Sequence, residues 1–327
     1  MVKIFLLSSL ISLLLSVVIG KLTLPLLRKI KIGQPILKYV EEHKEKKGTP
    51  TMGGIFFIVP CAICYLIFFG VKKHLALVAL VIGVAFMLVG FIDDFLKVHF
   101  HKNEGLKPLQ KILFQSGIAV VAGIFCYYNG LTKIYIPFTK SQIDFGFFII
   151  PIAVFIFIAI VNCVNLTDGL DGLAGSVSLV YFICITLLIS LQLKFSNSYM
   201  MIEEGEGFVG LSCCLIGGLS GFLVFNINKA KVFMGDTGSL SLGGFIGAIS
   251  IFSGNSFYIP IIGIMFVISG ISVILQVLYY KKSKKRIFLM APLHHHYQQK
   301  GFSETQIAYY YSLITCIMGI VSLIFYL

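Results

Sequence analysis

Long apolar runs separated by short polar connections recur along the whole chain, at roughly 4–26, 53–70, 75–92, 112–128, 147–164, 174–192, 208–225, 238–253, 257–279 and 306–326. About 20 apolar residues in a helix span the ~30 Å hydrocarbon layer of a bilayer. The pattern therefore predicts an all-α, polytopic integral membrane protein with about ten transmembrane helices, a single domain over 1–327. The first run opens on a single Lys and has no convincing small-residue cleavage site, so it is expected to remain as an anchor.

Composition narrows the class. With 57% hydrophobic and only 12% charged residues in 327, the chain is not a soluble globule. An even number of spans puts both termini on one side and alternate connections on the other. Those connections (27–52, 93–111, 165–173, 226–237 and 280–305) carry 19 of the 26 Lys and Arg. Positive-inside bias makes that side cytoplasmic and the termini extracytoplasmic. The net charge of +12 is dispersed over membrane-edge loops, which suits anionic headgroups of the lipid bilayer and a phosphorylated substrate, with no nucleic acid partner. Five of the six Asp (93, 94, 168, 171 and 236) fall at the same connections. Ionisable groups at a membrane edge point to function, so the active site is expected on the cytoplasmic face. Glu203, Glu204 and Glu206 fall in an opposite-side connection and are expected to be solvated. The eight cysteines lie within or at the ends of apolar runs and read as small apolar residues.

Polar chemistry concentrates in five motifs. Asn162-Cys-Val-Asn165-Leu-Thr-Asp168-Gly-Leu-Asp171-Gly172 separates two apolar runs. On a helix the three-residue spacing of Asn165, Asp168 and Asp171 brings successive members onto neighbouring parts of one face. One Asp there could merely cap a helix; two carboxylates and an amide in seven residues favour a site. Lys46-Lys47-Gly48-Thr-Pro-Thr51-Met-Gly53-Gly54 is either a basic juxtamembrane turn or a glycine-rich phosphate cradle. Asp93 and Asp94 point about 100° apart on a helix and so can serve different roles, with Lys97 in reach of either. Phe233-Met-Gly-Asp236-Thr-Gly-Ser239 is both an N-cap pattern and a source of one more carboxylate for a divalent cation; Phe233 is a membrane-edge aromatic or a stacking platform for a base. Consecutive His294, His295 and His296 present their rings in different directions, with no cysteine near, which suits phosphate contact better than zinc.

Taken together, GTPTMGG (48–54), GFIDDFLK (90–97), NCVNLTDGLDGLAG (162–175), FMGDTGSL (233–240) and APLHHHYQ (291–298) resemble the phospho-N-acetylmuramoyl-pentapeptide-transferases. That family lies within the polyprenyl-phosphate N-acetylhexosamine-1-phosphate transferases. The resemblance runs the length of the chain in the family's order. It implies transfer of phospho-MurNAc-pentapeptide from UDP-MurNAc-pentapeptide to undecaprenyl phosphate, giving lipid I and UMP for peptidoglycan synthesis in a bacterial inner or plasma membrane, with Mg²⁺ as cofactor. It implies that Asp236 holds Mg²⁺ and that Asp93 and Asp94 orient the lipid phosphate or take its proton. It further implies a donor site lined by Lys46, Thr51, Asn165, Asp168, Asp171, Asn226, Phe233, Gln276, His294, His295 and His296, with Phe233 against the uracil and Lys97 in the substrate-binding set. Direct attack by the lipid phosphate is favoured, a covalent aspartyl-phosphate route stays open, and a homodimer is compatible with the pattern.

Two other readings stay in view. A sister transferase moving GlcNAc-1-phosphate would share the aspartate motifs. A secondary transporter would place its ionisable groups near the midplane and show internal repeats, whereas here the carboxylates sit at one edge and no convincing repeat is present.

Overall fold

The computed structural model describes residues 1–29, 48–100, 105–195 and 199–327. Among them the helices are α1 (Val2–Lys29), α2 (Ile55–Phe68), α3 (His74–His99), α4 (Pro108–Tyr128), α5 (Ile149–Thr167), α6 (Leu173–Lys194), α7 (Tyr199–Asn226), α8 (Gly235–Phe252), α9 (Ile259–Ile262), α10 (Ile264–Ser283), α11 (Leu293–Gln299) and α12 (Glu304–Tyr326). Eight of these, α1, α3 to α7, α10 and α12, are long and apolar enough to cross a bilayer. The protein is an all-α polytopic membrane protein.

The two remaining predicted spans are helical but different in character. α2 has only 14 residues. α8 carries five glycines and three serines in 18 residues, and every one of its residues is buried except Asp236. A helix wrapped by other helices needs close backbone approach rather than bulky apolar side chains. Accordingly Gly243 of α8 packs on the Val161 backbone of α5, Gly244 on Phe86 of α3, and Gly83 of α3 on Phe245. The Ser241 hydroxyl donates to the Gly83 carbonyl at 2.8 Å. The axial position of α8 fixes its N-terminal turn against α3 and α5, where the motifs converge.

The α1–α7 contact follows the same logic. The buried stripe of α1 is Ser8, Ser12, Ser16, Gly20 and Leu24, while Leu6, Leu10, Leu14 and Leu22 face outward. Ser12 and Ser16 donate to the Cys214 and Gly218 carbonyls of α7 at 2.7 and 2.8 Å. In lipid, where apolar burial drives nothing, such small and hydroxylated residues hold helices together.

Three sequence expectations are corrected. The span predicted at 257–279 is broken: α9 ends at Ile262, Gly263 intervenes and α10 begins at Ile264. The connection after α4 holds a short hairpin, β1 (Lys133–Tyr135) antiparallel to β2 (Gln142–Asp144) with Ile134 opposite Ile143, a local exception to the all-helical pattern. Glu203, Glu204 and Glu206 are not in a solvated loop but lie within α7. Glu204 is buried and accepts the Leu75 N–H at 3.1 Å, and its other oxygen lies 2.7 Å from His74 Nδ1. The first turn of α3 has no side-chain cap of its own, so its free amides recruit the neighbouring helix. The eight cysteines are unpaired and buried or half-buried, as expected.

Candidate functional site

Two polar segments are stitched together before any functional side chain is placed. The Phe233 N–H donates to the Pro50 carbonyl at 2.8 Å, and the Gly53 and Gly54 N–H groups donate to the Phe233 and Met234 carbonyls at 2.9 and 3.1 Å. The GTPTMGG turn is thereby bound to the approach of α8. Gly235 then turns the chain into α8 with φ of 71°. A Cβ there would lie 2.4 Å from both Asp94 Oδ2 and Thr51 Oγ1, so only glycine fits.

Asp94, fully buried on α3, caps α8 from outside. Its Oδ1 accepts the Asp236 N–H at 3.2 Å, and its Oδ2 accepts the Thr237 N–H at 2.9 Å and the Thr237 hydroxyl at 2.7 Å. Sequence offered Asp236 as the cap; the carboxylate that does this work is Asp94, which frees the Asp236 side chain. Asp236 faces the site instead. Its Oδ2 lies 3.0 Å from Lys97 Nζ and 2.9 Å from Lys111 Nζ, and its Oδ1 accepts from Asn165 Nδ2 at 2.7 Å. Asn165 also donates to Ser239 Oγ at 2.8 Å and accepts from Lys111 at 3.3 Å. Asp93 pairs with Lys97 and accepts the Leu106 N–H at 2.8 Å.

One carboxylate oxygen from each of Asp93, Asp94 and Asp236 lies within 4.8 Å of the other two. The donor atoms are all carboxylate oxygens, with the Lys97 and Lys111 ammonium groups beside Asp236. That donor set fits a hard cation such as Mg²⁺, which takes a few carboxylates together with water and phosphate oxygens.

Asp168 and Asp171 occupy the turn between α5 and α6, adjoining this centre. The Asp168 carboxyl is pushed well above the usual range by burial and then by the charges of Asp236, Asp94 and Asp171. Asp171 is buried and accepts the Ala230 N–H at 2.8 Å. Asn226, also buried, accepts the Gly172 N–H at 3.1 Å and donates to the Val232 carbonyl at 3.0 Å. Both side chains expected along the donor site thus hold the 226–234 loop, and through it Phe233, which is half-buried. Thr51 is buried beside Asp94, its hydroxyl without a hydrogen-bond partner among the described residues.

The histidine segment is held from α10. Gln276 accepts the Ile287 and Phe288 N–H groups at 3.1 and 3.0 Å, and Ser272 accepts the Leu293 N–H at 3.0 Å. His296 Nδ1 accepts the Leu289 N–H at 3.1 Å, and His295 Nδ1 lies 2.9 Å from Gln298. His294 is fully buried, packed so closely on Gly169 that an added Cβ would meet its Nε2 at 2.3 Å. The histidines therefore abut the Asp168 turn. Lys46 lies outside the described residues.

Burial, and next the charge of His295, holds the His294 imidazole well below its ordinary value. The unfolded chain then binds a proton more readily than the folded one, so stability falls as pH drops below about 6.5. Thermal midpoints in detergent should fall between pH 7 and pH 5, and fall less in His294→Asn, which cannot charge. Equal slopes in the two proteins would refute this.

Lys111 is the residue sequence reasoning passed over. It is one of four lysines in its connection, and no spacing rule ties α4 to an aspartate on α8. Only tertiary structure shows that it meets Asp236 and Asn165.

Comparison with known proteins agrees with the motifs. Residues 76–254 match glycosyl transferase family 4, and residues 46–58 match signature 1 of the phospho-N-acetylmuramoyl-pentapeptide-transferases. The chain is 40% identical over 323 residues to the phospho-N-acetylmuramoyl-pentapeptide-transferase of Caldanaerobacter subterraneus subsp. tengcongensis, covering 98% of each. It is 39% identical over 320 residues to that of Clostridioides difficile, covering 97% of this chain and 96% of the relative. Against that of Clostridium perfringens strain 13 it is 42% identical over 314 residues, 94% of each.

Proposed function

Because the chain belongs to the phospho-N-acetylmuramoyl-pentapeptide-transferase family, we propose that it transfers phospho-MurNAc-pentapeptide from UDP-MurNAc-pentapeptide to undecaprenyl phosphate, forming lipid I and UMP for peptidoglycan synthesis. The observation that carries this reading is the junction of Asp93, Asp94 and Asp236 with Lys97, Lys111 and Asn165 at the buried N-terminus of α8.

Phosphoryl transfer needs alignment and charge neutralisation more than covalent chemistry from the protein. The acceptor phosphate is already largely ionised near neutrality, its second pKa being about 6. One of its oxygens attacks the β-phosphorus of the donor. The new P–O bond forms as the bond from that phosphorus to the bridging oxygen breaks, and UMP departs with the electron pair. Lys97 and Lys111, both drawn to Asp236, supply positive charge to the phosphates. Asp93 orients the acceptor, and Asp94 fixes the α8 terminus on which Asp236 stands. Asp236 would hold Mg²⁺, which when bound would supply charge neutralisation for the transfer. Phe233 stacks on the uracil, and Thr51, Asn165, Asp168 and His295 line the donor site, with Lys46 supplying a further cation from the adjoining segment. The bias of basic residues supports a cytoplasmic position for this face, with both termini outside.

The test of substrate identity is donor exchange. Detergent-solubilised protein with undecaprenyl phosphate and Mg²⁺ should release UMP from UDP-MurNAc-pentapeptide and not from UDP-GlcNAc. Release from UDP-GlcNAc alone would move the protein to the sister transferases.

A further inference from the structure

We propose that Glu304 is a positioning residue for the nucleotide-linked donor, acting through the turn between α5 and α6. Glu304 opens α12, where Ser303 and Gln306 form a reciprocal capping box: the Gln306 N–H donates to Ser303 Oγ at 3.2 Å and the Ser303 N–H to Gln306 Oε1 at 2.9 Å. The box serves the helix's own amides, while the Glu304 carboxylate reaches outward. It accepts the Asp171 N–H at 2.8 Å, 133 residues away in sequence.

That contact matters because it holds an amide of the turn from outside the turn. Gly172 adopts a left-handed conformation, φ 71°, and its N–H is taken by Asn226 of α7 at 3.1 Å. Two successive amides of the turn are therefore fixed by side chains from two other helices. From Asp171 the path continues: its carboxylate accepts the Ala230 N–H at 2.8 Å, and Ala230 belongs to the loop that carries Phe233. Glu304 thus sets the height of Asp168 and Asp171 against α12 and, one bond further, the loop beneath Phe233. None of the steps above uses Glu304, and neither its position nor its spacing marked it in the sequence.

This inference rests on the turn lining the donor site, as proposed above. The test pairs steady-state kinetics with hydrogen exchange on the detergent-solubilised protein, for wild type, Glu304→Ala and Glu304→Gln. The alanine variant should exchange the 169–173 amides faster and raise the KM for UDP-MurNAc-pentapeptide about tenfold, with the KM for undecaprenyl phosphate and the thermal midpoint unchanged. Glutamine keeps an acceptor oxygen at the same reach and should restore both readouts. Unchanged exchange in the alanine variant would overturn the contact. Faster exchange at an unchanged donor KM would overturn the positioning role. A wild type that releases no UMP would overturn the transferase reading, and donor positioning with it, while exchange still reports on the Glu304 contact.

Discussion

Replacing Asp236 by asparagine is expected to lower UMP formation by at least about a hundredfold, and on the order of a thousandfold if the cation is lost, without unfolding the protein. Removing one well-placed charge-stabilising group typically costs about 3–4 kcal/mol of transition-state stabilisation. Asp236 is the carboxylate on which Lys97, Lys111 and Asn165 all converge. Folding should survive because the cap of α8 belongs to Asp94, through three hydrogen bonds that the substitution leaves alone. Initial rates over a Mg²⁺ titration, alongside a thermal midpoint, separate the two effects. A variant with wild-type rates would remove Asp236 from the reaction.

The second large effect is remote from chemistry in kind, though adjacent in space. Gly90 of α3 faces the start of α8, and a Cβ there would lie 2.0 Å from the Asp236 carbonyl oxygen and 2.6 Å from the Thr237 nitrogen. Glycine to alanine inside a helix ordinarily gains up to about 1 kcal/mol. Here the added atom meets backbone, which cannot swing aside, and such overpacking costs about 1–3 kcal/mol. The clash outweighs the propensity gain. Gly90→Ala should therefore push α3 from α8, separate Asp93 and Asp94 from Asp236, and lower kcat about a hundredfold, the scale of a 1 Å misplacement. A lower thermal midpoint should accompany it. Activity within twofold of wild type would show that the α3–α8 approach does not set the site.

Much of this is legible in the sequence. Long apolar runs marked the helices because a bilayer accepts little else, and one-sided aspartates marked where to look. Asp93, Asp94 and Asp236 do meet, and Asp168 and Asp171 adjoin them. What sequence withheld was tertiary. Asp94 and Asp236 are 142 residues apart, so nothing local said which of them would cap α8. Lys111 had no pattern to single it out from the other lysines of its connection. Glu204 looked solvated because only the α3 N-terminus, more than a hundred residues earlier, makes it a cap. The break at Gly263 was hidden in a run apolar enough to pass for one helix.

The most direct test of the central claim is UMP release from purified protein with UDP-MurNAc-pentapeptide, undecaprenyl phosphate and Mg²⁺, each omitted in turn. UMP that appears only with all three together, coupled to lipid I, is the predicted result. No UMP from folded protein with all three present would contradict the account.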